Sequence, residues 1–337
     1  MTGWNDGIFC RVKSLFVPVL AVLLAFAAPL AVPKLRAQQN STAAQPSDPN
    51  EPIEKEYHKL MVEDDDAHAA IDEWIHAANE AALKGDKTSS ETLSVRIKTR
   101  LAPVRAGYET FIARHPGHAR SRIAFGSFLN DQGDEEAAVD QWEKARETDP
   151  KIPSIWNNLA NYYGHRGPVT KAFDYYAKAI ELDSMEAVYF QNLATAVYMF
   201  RKDASEYYKL DETGVFNKAL DLYRQAIMLD PTNFVLSTDY AESFYGTKPP
   251  RWADGLAAWE ATLKLAQTEV EREGVFIHFG RIKTRLGRFD EAQHDLNEVT
   301  NAMYLDLKKT LLKNLVAARE GLTKAPPPTA AHIPAPK

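Results

Sequence analysis

The chain has 337 residues, 45% of them hydrophobic, with a formal net charge of −6 at pH 7 and one cysteine, Cys10. A mildly acidic chain with no basic run is a poor nucleic-acid binder, which excludes nucleic acid as a partner. One cysteine excludes thiolate metal sites and disulfide frameworks, so the fold must rely on a hydrophobic core.

The N-terminal segment has the pattern of an export signal. Arg11 and Lys13 precede the apolar run Leu15–Val32, and Ala37 supplies a small residue at a plausible cleavage point. We therefore predict a signal peptide over residues 1–37, cleaved after Ala37, and an exported protein, periplasmic or extracellular. The alternative is a single uncleaved N-terminal anchor, because the apolar run is at the lower limit of a bilayer span. Membrane contact is predicted only through this segment.

The next segments are predicted to be a tether and a helical extension. Residues 38–55 are rich in Gln, Ser, Ala, Asn and Pro, which predicts a disordered tether. Residues 56–100 form the extension, in which a helix runs from Tyr57 to Leu83. Its acidic run Asp64–His68 is interpreted as charge near a helix start rather than as a metal site. Pro103 is expected to open a further helix.

From Ala119 to Pro231 the sequence repeats with a period of 34 residues. Within the unit 153–186, apolar residues at i, i+3, i+4 and i+7 mark one face of each of two helices. Gly167 is expected to take a positive φ in the turn between them. Such a period is typical of helix-turn-helix arrays, which bury their apolar faces by stacking. The residues on the two faces are Trp156, Leu159, Ala160 and Tyr163, then Ala172, Tyr176, Ala179 and Ile180.

This pattern resembles the tetratricopeptide repeat family, whose motif runs large residue, Leu-Gly/Ala, Tyr, Gly, Ala, aromatic residue, Ala and Pro. The segment Trp156–Ala179 supplies every element except the final Pro, where Ser184 stands. The resemblance covers Ala102–Leu322 and implies an all-α fold, an α-solenoid of helix-turn-helix repeats that form a right-handed superhelix. We assign residues 101–322 to about five repeats with a C-terminal capping helix, and 323–337 to a disordered Pro/Ala-rich tail.

Two segments of the array depart from the regular repeat. The third repeat contains 13 extra residues, which lie within 201–216. We expect an extended loop there, because insertions in such arrays map to loops on one face, often the binding face. Its Tyr207 and Tyr208 are candidate contact residues; the alternative is an elongated turn without a binding role, in which these aromatic side chains pack back on the array. The capping helix is expected to cover the last repeat with an apolar side formed by Leu307, Leu311, Leu315 and Val316.

In the tetratricopeptide family the first helix of each repeat lines a concave groove, and the resemblance implies which residues face a ligand here. This lining is rich in amides, which donate and accept hydrogen bonds and so suit an extended peptide or a helix. The family's carboxylate clamp is matched only at Asn161 and Asn192, so clamp-type binding is not predicted. Arg281, Arg285 and Arg288 are instead candidates to receive an acidic segment. The predicted groove residues are Asn130, Asp131, Asn157, Asn161, His165, Gln191, Thr195, Tyr198, Thr238, Glu242, Tyr245, Arg281 and Arg285.

The sequence has no H-E-x-x-H, no G-x-S-x-G and no phosphate-cradling glycine loop. We therefore predict a non-enzymatic protein–protein interaction scaffold of the bacterial cell envelope, without catalytic residues, cofactor or metal. Two alternatives stay open. One is a glycan-binding or polysaccharide-export accessory protein, which would bind envelope polysaccharide through Tyr198 and Tyr245. The other is a non-catalytic subunit of an envelope enzyme complex.

Overall fold

The computed structural model describes residues 51–83 and 90–324, and all regular structure in these ranges is helical. The all-α class predicted from the sequence is confirmed. The chain divides into two compact units, the first ending at Met185 and the second beginning at Glu186. The predicted signal peptide, most of the predicted tether and almost all of the predicted tail lie outside the described residues.

The first unit is built from helix pairs. Helix α1 (Pro52–Leu83) packs on α2 (Ser90–Arg114), α3 (Ala119–Asp131) packs on α4 (Glu135–Thr148), and α5 (Pro153–Arg166) packs on α6 (Val169–Leu182). Helix α2 also contacts α3, α4 contacts α5, and α3 contacts α5 directly. The first helices of two consecutive repeats, α3 and α5, are therefore neighbours.

Large aromatic residues fill the core of the first unit where small residues leave room. Tyr108 and Phe128 are fully buried, and the buried indole of Trp142 lies against Gly126. Trp156, predicted to be a core residue, is only half buried at the start of α5. The regular i, i+3, i+4, i+7 pattern therefore identifies both helix faces correctly but overstates the burial of Trp156, whereas Ala172, the first residue of the second face, is fully buried.

Helix α1 begins at Pro52 rather than at Tyr57, so the last residues of the predicted tether are helical. Proline is tolerated in the first turn because the amide hydrogen it lacks has no partner there. The earlier start places Asp64 in the middle of the helix, and its interpretation as helix-start charge is wrong. Asp64 is 2% exposed and accepts a hydrogen bond of 2.7 Å from the buried hydroxyl of Tyr108.

Helix α2 is continuous from Ser90 to Arg114, and the prediction that Pro103 opens a new helix is wrong. An interior proline removes one backbone hydrogen bond and disfavours a straight helix. The flanking residues Leu101 and Val104 are both buried in the core. Tertiary packing therefore holds the helix together across the proline.

The turn between α5 and α6 differs from the expected tight turn. Gly167 has a φ of −123°, not a positive value. The residue before a proline is restricted to extended conformations, and Pro168 imposes this restriction on Gly167. The corresponding glycines of other repeats, Gly133 and Gly287, do have positive φ values of 78° and 74°.

The second unit contains helices α7 to α14. Helix α7 packs on α9, α10 packs on α11, and α12 packs on α13, while α14 contacts both α12 and α13. These helices are α7 (Ala187–Met199), α8 (Arg201–Tyr208), α9 (Glu212–Leu229), α10 (Phe234–Ser243), α11 (Trp252–Leu263), α12 (Glu269–Arg285), α13 (Phe289–Asn297) and α14 (Leu305–Lys324).

The insertion 201–216 is helical, so the prediction of an extended loop is wrong. Its first eight residues form α8, which contacts α7 and α9, and Ala204 of α8 is fully buried. Tyr208 is half buried, and the Nζ of Lys218 lies 4.2 Å from its ring centroid. Tyr207 is 37% exposed. The insertion therefore packs back on the array and leaves one of its two tyrosines accessible.

Helix α14 covers the end of the second unit. Leu311 and Leu315 pack against Leu296 and neighbouring residues of α12 and α13. The expected contacts of Leu307 and Val316 are wrong, because these side chains are 46% and 51% exposed. Leu307 lies one turn before Leu311, near the start of α14. Val316 is turned about 100° round the helix from Leu315. The face of α14 that meets the repeat below is therefore both short and narrow.

Candidate functional site

A pocket of about 300 Å³ lies in the first unit beside helices α3 and α5. Both helices are the first helices of their repeats, which is where the sequence predicted a binding groove. The α5 residues on the pocket follow the spacing i, i+3, i+4 and i+7, which places them on one helix face. The lining residues are Ser127, Asn130, Glu135, Trp142, Asn158, Asn161, Tyr162 and His165.

Asn158 is the most unusual residue of this pocket. It is 4% exposed, and its side-chain Nδ2 has no hydrogen-bond partner among the described residues. A buried polar group without a partner costs about 1–3 kcal/mol. An acceptor atom on a bound ligand would remove this cost, so Asn158 favours a ligand that carries a carbonyl or similar oxygen.

Asn161 lies one turn further along α5 and is held in a fixed orientation. Its Oδ1 accepts a hydrogen bond of 2.7 Å from the hydroxyl of Tyr176, which is 5% exposed. The oxygen end of this amide is thereby occupied by the protein. The opposite end of the amide carries two N–H donors. Asn158 and Asn161 together place two side-chain amides on the α5 wall of the pocket.

The pocket has no uncompensated charge. Arg166 donates to both carboxylate oxygens of Glu135, at 2.7 and 3.2 Å. These hydrogen bonds hold the pKa of Glu135 below its ordinary value. Desolvation lowers the pKa of His165, so its imidazole is neutral at neutral pH. A neutral pocket lined by amides suits an uncharged polar ligand better than a carboxylate, which would lack a cation to pair with.

The structure brings together three of the five groove residues predicted in this unit. Asn130, Asn161 and His165 line the pocket, whereas Asp131 and Asn157 do not. Asn158 was missed. Its spacing of three, four and seven residues from Asn161, Tyr162 and His165 was visible in the sequence and would have identified it.

In the second unit, most of the predicted groove residues already have partners within the protein. The Nε2 of Gln191 donates to Asp239 at 2.7 Å, and the hydroxyl of Thr195 lies 2.9 Å from that of Tyr223. Thr238 donates to a backbone carbonyl of its own helix. These polar side chains stabilise α7, α9 and α10 and are less available to a ligand than the amides of the first unit.

The aromatic candidates of the second unit are half buried. Tyr198 packs beside Phe216, with ring centroids 6.0 Å apart, and lies close to Gly246. The hydroxyl of Tyr245 is 2.8 Å from Nδ1 of His278. Neither tyrosine presents an open ring face of the kind that the polysaccharide alternative requires, and the structure gives that alternative no support.

His278 and the acidic residues of α10 form a cluster that was missed in the sequence. The His278 ring stacks on Trp259 with centroids 3.8 Å apart, and burial lowers its pKa to about 3. Burial raises the pKa of Asp239 and of Glu242, and the charge of Asp239 raises that of Glu242 further. The imidazole is therefore neutral, and the positive charge of Arg281 acts to lower the pKa of Glu242.

Residues 153–184, which form α5 and α6, match the family model of the tetratricopeptide repeat. This segment is similar to a tetratricopeptide repeat. A repeat-containing protein of Methanocaldococcus jannaschii is 27% identical over 137 residues, which are 41% of this chain and 21% of that protein. The chain thus matches about a fifth of that relative's length.

A solved structure of low sequence identity shares the fold. The type IV pilus biogenesis factor PilW is 13% identical, with a TM-score of 0.52, over 64% of this chain and 91% of its own. The tetratricopeptide repeat protein YrrB is 15% identical, with a TM-score of 0.47, over 62% and 97%. Tetratricopeptide repeats in general are non-catalytic scaffolds that bind proteins or peptides, which agrees with the general class predicted from the sequence.

No helix within residues 51–83 and 90–324 is both long and apolar enough to cross a bilayer. In the same ranges, His, Cys, Asp and Glu form no group of three or more that could hold a metal ion.

Proposed function

We propose that this protein is a non-enzymatic scaffold that binds an extended segment of a partner protein in the pocket beside α3 and α5. The observation that carries the proposal is the buried, unpartnered Nδ2 of Asn158 at a wall of that pocket. The similarity of residues 153–184 to a tetratricopeptide repeat supports protein binding as the general activity.

In the proposed complex, main-chain carbonyl groups of the partner accept hydrogen bonds from Asn158 and Asn161. Main-chain carbonyls are uncharged, which matches a pocket whose Glu135 is already paired with Arg166. The ring of Tyr162 offers apolar surface to a partner side chain. Recognition of this kind gives affinity with modest sequence selectivity, because every peptide has the same backbone.

Site-specific photocross-linking in cells tests the proposal. A photoreactive residue is placed at Asn130 or at His165, which are exposed at the pocket, and at Ala177, which is exposed on α6, as the control. We expect the same protein to be captured from both pocket positions and not from Ala177. Capture of that protein from Ala177 as well, or different proteins from the two pocket positions, would contradict the proposal.

We further propose that the scaffold works in the envelope of a bacterium after export. The support is the charged and apolar pattern of residues 1–37. N-terminal sequencing of the protein purified from its own cells tests this, and the expected first residue is Gln38. An intact N-terminus in a soluble fraction would contradict export, and an intact N-terminus in the membrane fraction would favour the uncleaved anchor.

A further inference from the structure

Arg281 and Arg285 form an exposed cationic surface on α12. They are four residues apart, so they share one helix face. The other lysine and arginine of this helix have carboxylate partners, with Arg272 3.4 Å from Glu269 and Lys283 2.7 Å from Asp295. Within the described part of the chain, no carboxylate lies within 4.0 Å of either exposed guanidinium. The two charges are therefore available to a ligand.

Aromatic rings support both guanidinium groups. Arg281 lies 4.8 Å from the ring centroid of Tyr245, and Arg285 lies 6.0 Å from that of Trp252. The two rings are themselves 6.2 Å apart. Cation–π contact restricts an arginine side chain without neutralising its charge, so less conformational entropy is lost when an anion binds.

The charged groups around Arg281 and Arg285 determine the sign of the electrostatic potential at this surface. His278 contacts Tyr245 and is buried and neutral, so it adds no positive charge. Glu242 lies close enough to Arg281 for the two charges to interact, and its side chain is 53% exposed. Asp239, which acts on Glu242, already accepts a hydrogen bond from Gln191. The two exposed guanidinium groups therefore give this face of α12 positive character.

We infer that Arg281 and Arg285 bind an acidic segment of a partner protein. Each planar guanidinium can pair with one carboxylate through two parallel hydrogen bonds, which favours Asp or Glu side chains on consecutive turns or alternate residues of the partner. The inference rests on the proposed function in that the chain binds protein segments. It uses a surface of the second unit and a different chemistry, since the pocket beside α3 and α5 is uncharged.

A titration of the full-length chain with a fluorescent peptide of alternating Glu and Ala tests the inference by anisotropy. A peptide with Gln in place of Glu is the control ligand. We expect the Gln peptide to bind at least about tenfold more weakly, and the double variant Arg281→Gln, Arg285→Gln to lose about tenfold in affinity for the Glu peptide. Glu242→Gln removes a negative charge that interacts with Arg281 and should tighten binding several-fold.

Arg272→Gln is the matched control variant, because Arg272 is exposed on the same helix but already pairs with Glu269 at 3.4 Å. Its affinity for the Glu peptide should stay within about twofold of the unsubstituted chain. Equal loss in this variant would show nonspecific charge attraction and overturn the inference. Failure of the Glu peptide to bind, or binding of a phosphoserine peptide in its place, would also overturn it.

The outcomes of the two proposals are separable. The cross-links from Asn130 and His165 report only on the pocket of the first unit. The peptide titration is read through Arg281, Arg285 and Glu242 of the second unit. Loss of one signal with retention of the other identifies which of the two sites is wrongly assigned.

Discussion

The indole of Trp142 lies so close to Gly126 that no side-chain carbon fits between them. The indole N–H also donates to the carbonyl of Ile123 at 3.2 Å, which fixes the ring. Trp142 is at the same time a wall of the candidate pocket. The close approach of α3 and α4 at this glycine therefore helps to set the shape of the site.

We expect Gly126→Ala to lower the free energy of unfolding by about 1–3 kcal/mol, because the added methyl group overpacks the contact with Trp142. Chemical denaturation followed by circular dichroism measures the change. Gly321→Ala on α14 is the control. A methyl group there meets nothing within 4 Å, so this variant should gain about 0.5–1 kcal/mol from helix propensity. Equal stability of Gly126→Ala and the unsubstituted chain would contradict the packing argument.

Asn158 should be costly for stability and required for binding. We expect Asn158→Leu to raise the free energy of unfolding by about 1 kcal/mol, because it removes a buried amide that lacks a partner. The same variant should reduce photocross-linking of the partner from Asn130. Both the free energy of unfolding and the cross-linking yield are measured on this variant. Only at a binding residue do we expect stability to rise while cross-linking falls.

Asn161→Leu is the matched comparison for Asn158→Leu on the same helix face. It leaves the buried hydroxyl of Tyr176 without its acceptor, so the free energy of unfolding should fall by about 1–3 kcal/mol. A change of stability in the same direction in both leucine variants would contradict the distinction between the unpartnered amide of Asn158 and the partnered amide of Asn161.

Glu273 is expected to make the stability of the second unit depend on pH. It is 7% exposed and accepts hydrogen bonds from Thr300 N, Thr300 Oγ1 and Asn301 N at 2.9, 2.9 and 2.7 Å. Burial acts to raise the pKa of Glu273, but these hydrogen bonds outweigh it and the net pKa is lowered. Its stabilisation is therefore fully present above the ordinary glutamate pKa of about 4.3 and is lost as the pH falls through the lowered value.

We accordingly expect Glu273→Gln to lower the free energy of unfolding by about 1–3 kcal/mol at pH 7, with a difference that shrinks in acid. Denaturation curves between pH 7 and strong acid measure it. Glu260→Gln, at an exposed position of α11, should follow the unsubstituted chain at every pH. A constant deficit for Glu273→Gln across the range would show that its carboxylate is not the group responsible.

Lys209, which ends the inserted helix α8, has a φ of 57°. A side chain in this left-handed region costs about 1–2 kcal/mol, and glycine avoids most of that cost. We expect Lys209→Gly to raise the midpoint of chemical denaturation. Lys202→Gly, the same change inside α8, should lower it because glycine is a poor residue within a helix. Destabilisation by both changes would contradict the assigned end of the helix.

The fold class followed from the sequence because one physical rule governs every repeat. Each helix must bury one face. The spacing of the apolar residues indicates which face that is, as it does for Leu159, Ala160, Ala172 and Tyr176. Helix boundaries were less predictable where local and tertiary effects compete. Locally, Pro103 favours the start of a helix. The burial of Leu101 and Val104 on either side of it keeps the helix continuous, and this tertiary packing is not visible in the sequence.

The candidate site was predictable only in part. Asn130, Asn161 and His165 lie on a helix face that periodicity identifies, and they line the pocket. The special character of Asn158 depends on the absence of a partner on neighbouring helices, which no spacing within α5 can show. The roles of Asp239 and His278 likewise depend on Gln191 and Tyr245, which lie 48 and 33 residues away.

The helix that follows the last repeat limits how this array can grow during evolution. Leu311 and Leu315 of α14 occupy the apolar surface around Leu296 on which a further repeat would have to stack. A duplicated repeat added after α13 would have to displace α14 and supply matching contacts. A repeat duplicated in the interior of the array would stack on neighbouring repeats, whose surfaces already pack against a repeat. Gain and loss of repeats are therefore expected in the interior of the array rather than at the α14 end.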